Sequence, residues 1–118
     1  MKTCPVCKID ILDHPAGRCL DELIVEYIFG YSKLPYPAEP KFQKPTEDGV
    51  DCLYHINSYS SRIQAAWEVV DKMQEDNNAI LLDNIAEIWD AEFASFGQVA
   101  AETAPLAICR AAMLTVDE

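Results

Sequence analysis

The residues with the most specific chemistry are Cys4 and Cys7, two cysteines near the start of the chain with two residues between them. This spacing puts two thiolates on one tight turn, where both can reach a single zinc ion. Pro5 stiffens that turn, and Lys8 directly after it can offset thiolate charge. The pattern therefore predicts one half of a zinc site.

The second half of a tetrahedral site is expected from Cys52 and His55, which repeat the gap of two residues. Together with Cys4 and Cys7 they would form a Cys3His site that joins the N-terminal turn to the end of a proline-rich segment. A zinc ion held by four protein ligands has a structural role, because no coordination position is left for a substrate.

Two alternatives to that quartet stay open. His14 and Cys19 offer a competing second pair. In the other alternative no metal is bound, and Cys4 and Cys7 are unligated thiols near the terminus. The chain has 5 cysteines, an odd number, and its N-terminus lacks an export signal. Thiols or metal ligands are therefore expected rather than disulfides.

The net charge of −11, from 20 acidic and 9 basic residues, limits what the protein can bind. Affinity for nucleic acids comes mostly from neutralising phosphates, so DNA and RNA are not expected partners. No stretch approaches the roughly 20 apolar residues that a membrane span requires, and no membrane partner is expected. A cytoplasmic protein is expected, which docks a basic partner surface or binds a small anion through a few arginines.

The spacing of apolar and turn residues predicts an α+β fold. Asp13 is the expected N-cap of the first helix and Gly30 its stop, and Ser60 with its neighbouring serines offers an N-cap to the second. Four prolines within 35–45 predict a long loop that holds no helix or central strand. The expected elements are helix 14–29, loop 31–51, helix 60–75, strands 79–82 and 87–93 with Asn84 near their turn, a strand at Val99, and a last helix capped by Thr103 with Pro105 in its first turn.

These elements predict one domain over 1–118. Strands that follow each other without an intervening helix pair antiparallel, and the helices must then cover the small sheet. The expected architecture is a small antiparallel sheet covered by about three helices. Residues 1–13 form its Cys-x2-Cys extension, and 31–51 form its proline-rich loop.

Three segments of the chain resemble the phage ABA-sandwich domain family. They are Tyr59–Met73 (YSSRIQAAWEVVDKM), Gly17–Ile24 (GRCLDELI) and Glu102–Leu114 (ETAPLAICRAAML). The likeness covers most of 16–116 in the right order, whereas the Cys4–Cys7 extension and the proline-rich loop depart from it. The resemblance implies a helix–sheet–helix sandwich of phage or prophage origin, acting in the cytoplasm of an infected bacterium. It brings no established catalytic residues.

The same resemblance points to a candidate ligand site. Arg18, Arg62 and Arg110 match cations of the family, one on each predicted helix, and could converge on a phosphate or carboxylate. Tyr59 and Trp67 could stack a base beside them. In the alternative interpretation each arginine pairs with a nearby acid. Trp67 lies within the apolar stripe of its helix and would then pack in the core.

Three functional hypotheses follow. The first is a non-enzymatic counter-defence sponge that sequesters a nucleotide-derived immune signal; it places the pocket at a subunit interface and makes the protein a homo-oligomer. The second is a protein-docking inhibitor of a basic host factor, and the third is a zinc-stabilised structural accessory protein. An enzyme is disfavoured, because neither of the 2 histidines falls in a recognisable hydrolase motif.

Overall fold

The computed structural model describes residues 1–34, 41–53, 55–94 and 96–116. Within them the chain forms three α-helices and two antiparallel three-stranded sheets, with strand orders β1-β2-β3 and β4-β5-β6. This confirms the expected α+β class and adds a second sheet. The elements are a 3-10 helix Ile11–Asp13, α1 Arg18–Leu23 with a π-helical continuation Ile24–Ile28, β1 Ser32–Lys33, β2 Phe42–Thr46, β3 Gly49–Leu53, α2 Ile63–Glu75, β4 Ile80–Ile85, β5 Ile88–Phe93, β6 Val99–Ala101 and α3 Ala104–Leu114.

The first helix starts later than its sequence pattern predicts. Asp13 is not its N-cap but the last residue of the 3-10 helix, whose own cap is Asp10: the Asp10 carboxylate accepts from the backbone N–H of Leu12 at 2.9 Å. Gly17 precedes α1 with φ of +151°, a value that glycine tolerates best. At the other end Gly30 has φ of +81°, as expected of a helix stop.

Asp21, an acidic residue of α1, is buried. Its Oδ1 accepts from the backbone N–H of Ser60 at 2.8 Å and from the Ser60 hydroxyl at 2.7 Å. Ser60 Oγ also accepts from the N–H of Gly17 at 3.0 Å. Ser60 therefore ties the start of α1 to the segment before α2 and does not cap α2, whose N-cap is Arg62 without a side-chain cap.

The expected loop 31–51 contains a β-hairpin, so the loop prediction is wrong for its described residues. Strands β2 and β3 pair from Phe42↔Leu53 to Thr46↔Gly49, and Pro45 lies opposite Val50. β1 pairs only with the first two residues of β2, so among the described residues no strand borders Pro45 on its other side. The missing N–H of proline therefore costs no ladder bond there. The prolines at 35, 37 and 40 lie outside the described residues.

The second sheet follows the sequence more closely. β4 and β5 form a hairpin whose turn consists of Ala86 and Glu87, both at positive φ. The turn was expected near Asn84, which instead lies within β4 and pairs with Trp89. One face carries Leu82, Trp89 and the buried Ala91, and β5 and β6 pack against α3. Thr103 caps α3 as expected, its Oγ1 accepting from the N–H of Leu106 at 3.4 Å.

A hydrophobic core lies between α1, α2, α3 and this sheet face. The inner face of α2 consists of Ala65, Ala66, Val69, Val70 and Met73. Trp67 lies beside that face and is 48% exposed, so its expected place in the core is wrong. None of the helices in the described ranges is both long and apolar enough to cross a membrane.

Candidate metal centre

Four side chains from the N-terminal segment and the start of α1 converge: Cys4, Cys7, His14 and Cys19. Their ligand atoms all lie within 4.8 Å of one another. Sγ of Cys4 is 3.7 Å from Sγ of Cys19, and Sγ of Cys7 is 3.3 Å from Nε2 of His14. Three sulfurs and one imidazole nitrogen therefore surround one point.

The turn that carries Cys4 and Cys7 is closed by backbone hydrogen bonds. The N–H of Lys8 donates to the carbonyl of Cys4 at 3.0 Å, and the N–H of Cys4 donates to the carbonyl of Ile9 at 2.9 Å. Inside the turn, the N–H groups of Val6 and Cys7 both point to Sγ of Cys4, at 3.4 Å each. Such donors stabilise a thiolate, the form of cysteine that binds metal.

His14 is oriented with Nε2 toward the cysteines. It is 1% exposed, and its Nδ1 lies 2.9 Å from the carbonyl oxygen of Pro15. A carbonyl can only accept, so Nδ1 carries the proton and Nε2 is left with a free electron pair. A hydrogen bond that fixes the tautomer in this way is usual for metal-binding histidines.

The pKa values of two thiols shift in opposite directions. Burial alone would raise the pKa of Cys4, but the N–H groups of Cys7 and Val6 and the side chains of Cys7 and His14 lower it to about 6. Burial, together with hydrogen bonding and charge repulsion from Cys4 and Cys7, raises the pKa of Cys19 to about 12. Without a cation Cys19 therefore resists deprotonation beside Cys4 and Cys7, and a bound divalent ion would reverse that balance.

These distances fit a tetrahedral zinc ion. With Zn–S about 2.3 Å and Zn–N about 2.0 Å, tetrahedral ligands stand about 3.5 to 3.8 Å apart. The Cys4–Cys19 separation of 3.7 Å lies in that range, the Cys7–His14 separation of 3.3 Å lies just below it, and all four ligand atoms lie within 4.8 Å of one another. Soft thiolates with one imidazole suit zinc and not the hard ions Ca²⁺ or Mg²⁺, which take oxygen ligands. The four residues could hold a structural zinc ion.

Arg110 connects this centre to the rest of the fold. From α3 its Nε donates to the backbone carbonyl of His14 at 2.8 Å, and one terminal nitrogen donates to the carbonyl of Ala100 at 3.2 Å. Burial lowers the pKa of the Arg110 guanidinium, while Asp13 and Glu102 act in the opposite direction. Arg110 thus joins the histidine of the cluster to both α3 and β6.

The second pair in the cluster is the alternative pair, His14 and Cys19, and not Cys52 with His55. Cys52 is exposed on β3, and His55 is exposed just beyond that strand. One sequence signal does favour the observed pair. All four converging residues lie within 4–19, so a metal closes short loops at a small entropic cost.

The three candidate arginines occupy separate positions. Arg18 on α1 pairs with Glu22 at 3.7 Å, and Arg110 is engaged with backbone carbonyls. Arg62 is exposed at the start of α2 and lines a cavity with Asn57, among others. Arg110 lines a different cavity, between the 3-10 helix and α3.

The two candidate stacking residues differ from each other. Tyr59 is 9% exposed, and its ring packs against Phe29 with the centroids 5.3 Å apart. Burial, followed by the negative charge of Glu68, raises the pKa of the Tyr59 hydroxyl to about 12. Trp67 is open to solvent and lines a groove together with Trp89.

Comparison with known proteins places the fold in a family. The model of the phage ABA sandwich domain matches residues 22–113 of the 118-residue chain. No curated protein and no solved structure matches the chain. The four converging residues lie within 4–19 and precede the matched range. Over most of its length the chain thus belongs to the phage ABA sandwich domain family.

Proposed function

We propose that this protein is a non-enzymatic phage accessory protein whose N-terminal segment is held in place by one structural zinc ion. The observation that carries the proposal is the convergence of Cys4, Cys7, His14 and Cys19 within 4.8 Å. Each residue would supply one ligand atom. Zinc contributes its binding free energy directly to folding at such a site.

The ligand set argues for a structural and against a catalytic ion. Catalytic zinc sites keep one position open for water or substrate, whereas four protein ligands close the tetrahedron. Cys4 and His14 are also buried, which keeps solvent from one half of the cluster, while Cys7 is exposed and Cys19 half-buried. The protein then acts by binding, and we expect it to do so in the cytoplasm, where thiols stay reduced.

The zinc would fasten a segment that adds little packing of its own. Of the first ten residues only Met1 and Cys4 are buried. Through His14 the ion would also be linked to Arg110 and thus to α3. Loss of zinc should therefore loosen the N-terminal turn first and weaken the sandwich second.

Zinc content and its dependence on the ligands test the proposal. Protein produced and purified in zinc-containing, reducing buffer should carry one zinc per chain, measured by elemental analysis. Cys7→Ser, at an exposed ligand, and His14→Ala should lose most of it. The double variant Cys52→Ser, His55→Ala is the matched control and should keep it.

Two results would contradict the proposal. One is a folded wild-type protein that takes up no zinc even when reconstituted under reducing conditions. The other is zinc retention in the His14→Ala protein with loss in the Cys52→Ser, His55→Ala control, which would assign the other quartet.

Sequestration of a nucleotide-derived immune signal stays a prediction. The positions of Arg18, Arg62 and Arg110 give it little support, because each has separate surroundings. Thermal-shift measurements with cyclic nucleotides and ADP-ribose derivatives test it. A rise in Tm that Arg62→Ala removes would support it, and a flat response to all ligands would count against it.

A further inference from the structure

A groove of about 420 Å³ lies between α2 and the edge of the second sheet. Its lining is almost wholly apolar: Ile63, Gln64, Trp67, Leu82, Trp89 and Ala104. Ile63 is 49% exposed and Trp67 48%. Large apolar side chains that stay this open to solvent on one surface are typical of interaction sites.

The groove borders a strand edge that can accept a further strand. Within the described residues β4 pairs with β5 alone and forms one edge of its sheet. β4 has six residues, of which four are isoleucine or leucine. An apolar edge of this length is a template for another extended chain.

The opposite face of the sheet is acidic beside that edge. Asp83 of β4 stands directly across from Asp90 of β5, and Leu81 stands across from Glu92, all on the face away from the groove. Like charges directly opposite each other destabilise a strand pair. No ion pair within the described residues neutralises Asp83, Asp90 or Glu92.

We propose that the β4 edge binds an extended segment of a partner protein in which apolar residues alternate with lysine or arginine. Neighbouring side chains of a strand point to opposite faces, so one set would enter the groove at Leu82 and Trp67. The other set would lie beside Asp83 and the carboxylates behind it. The inference rests on the proposed function in one respect, namely that the protein acts by binding.

Charge decides against a second copy of the chain as the occupant. Each copy carries −11, and pairing two β4 edges would place the Asp83 carboxylates of both copies in one sheet. A basic segment instead supplies the cation that the Asp83–Asp90 pair lacks. The β6 edge, at three residues, is a poorer template.

The proposal is tested with a synthetic peptide of about eight residues, the length of a long strand. In its sequence lysine alternates with leucine or valine. The probe is added to the zinc-loaded, full-length protein. Both tryptophans of the chain, Trp67 and Trp89, line the groove, so tryptophan fluorescence reports directly on its occupation. We expect a saturable change with the alternating peptide. A peptide of the same composition with its lysines in one block should bind at least about tenfold more weakly.

Variants followed by the anisotropy of a labelled peptide locate the site. Trp67→Ala should weaken binding at least about tenfold, as expected of a central aromatic contact. Phe96→Ala is its control, because Phe96 is 50% exposed but outside the groove. Asp83→Asn with Asp90→Asn should reduce both affinity and its salt dependence. Glu47→Gln with Asp48→Asn removes the same charge from the β2–β3 turn and should change neither.

Three results would overturn the proposal: no fluorescence change, equal binding of the blocked and alternating peptides, or equal effects of the Trp67 and Phe96 variants. Sedimentation that shows a dimer dissociated by the peptide would assign the groove to a second copy and would also overturn it.

Zinc is measured in the same sample. A zinc-loaded protein that binds no peptide refutes this inference alone, whereas a folded, zinc-free protein refutes the proposed function whether or not it binds.

Discussion

At the metal centre Cys4 and His14 are 0% and 1% exposed, whereas in the groove Ile63 and Trp67 are 49% and 48% exposed. The donor atoms of the centre face one another or hydrogen-bond to the backbone. The groove instead combines open apolar rings with a strand edge that lacks a neighbour in the described part of the chain. Buried polar groups that all have partners are typical of a site that supports the structure. An exposed apolar surface beside an unpaired strand edge is typical of a binding site.

Removal of zinc should have the largest effect, because it tests whether the centre is structural. Chelation of wild-type protein should lower the free energy of unfolding by more than about 3 kcal/mol, since zinc binding is coupled to folding. Thermal unfolding with and without chelator measures this change. The variant Cys52→Ser, His55→Ala should respond as the wild type does, and an unchanged Tm on chelation would remove the contrast between the two regions.

The buried Asp21–Ser60 contact should rank second. Asp21→Ala leaves the N–H of Ser60 unpaired in the interior, and the Ser60 hydroxyl keeps only its longer bond to the Gly17 carbonyl at 3.3 Å. The change should cost about 3 kcal/mol. Urea denaturation measures the cost. Asp71→Ala, at an exposed position of α2, is the control and should stay within about 0.5 kcal/mol. Equal effects at both positions would mean that the buried contact contributes nothing.

Trp67 should contribute little to stability in spite of its size. Trp67→Ala should cost about 1 kcal/mol, because half of the side chain is already in solvent. Met73→Ala, on the buried face of the same helix, should cost about 2 to 5 kcal/mol. Denaturation of the two variants compares them directly. A cost at Trp67 as large as that at Met73 would make the groove part of the core.

Substitutions in the turn that follows β4 should have the smallest effect on stability, and they should raise stability where the preceding changes lower it. Ala86 and Glu87 have φ of 53° and 68°, which suit asparagine and glycine in a two-residue hairpin. Ala86→Asn with Glu87→Gly should stabilise the protein by about 1 kcal/mol. Thermal unfolding measures the gain. Ala100→Gly, on the regular strand β6, should destabilise it, and a loss in the turn variant would show that the hairpin is not held in this geometry.

Periodicity predicted much of the fold. The second helix, the β4–β5 hairpin, the strand at Val99 and the Thr103 cap were all predicted from local patterns. The helix nevertheless begins at Ile63 and not at 60, and the hairpin turn lies at Ala86–Glu87 and not near Asn84. The missed hairpin β2–β3 shows the limit of such reasoning. Pro45 is compatible with a strand only because β1 is too short to reach it, and the length of a neighbouring strand is not visible in the local sequence.

The candidate sites were predicted less completely, and for the same reason. Two of the four converging residues, Cys4 and Cys7, follow from their spacing on one turn. The other two depend on the path of the chain between 8 and 19, which a 3-10 helix and a late start of α1 set. Trp67 falls in the apolar stripe of α2. In the folded chain, however, α2 is oriented so that Val69 and Val70 face the core and Trp67 faces the groove.

The sequence by itself determined the α+β class, the family and one half of the Cys-His cluster, because these depend on residue type and spacing along short stretches. Only the tertiary structure decided which residues far apart in the sequence contact one another. It brought His14 and Cys19 to Cys4 and Cys7, buried Asp21 against Ser60, and left Trp67 at an open edge beside β4. Such contacts depend on how elements pack against one another, and packing is a property of the whole core and not of any one segment.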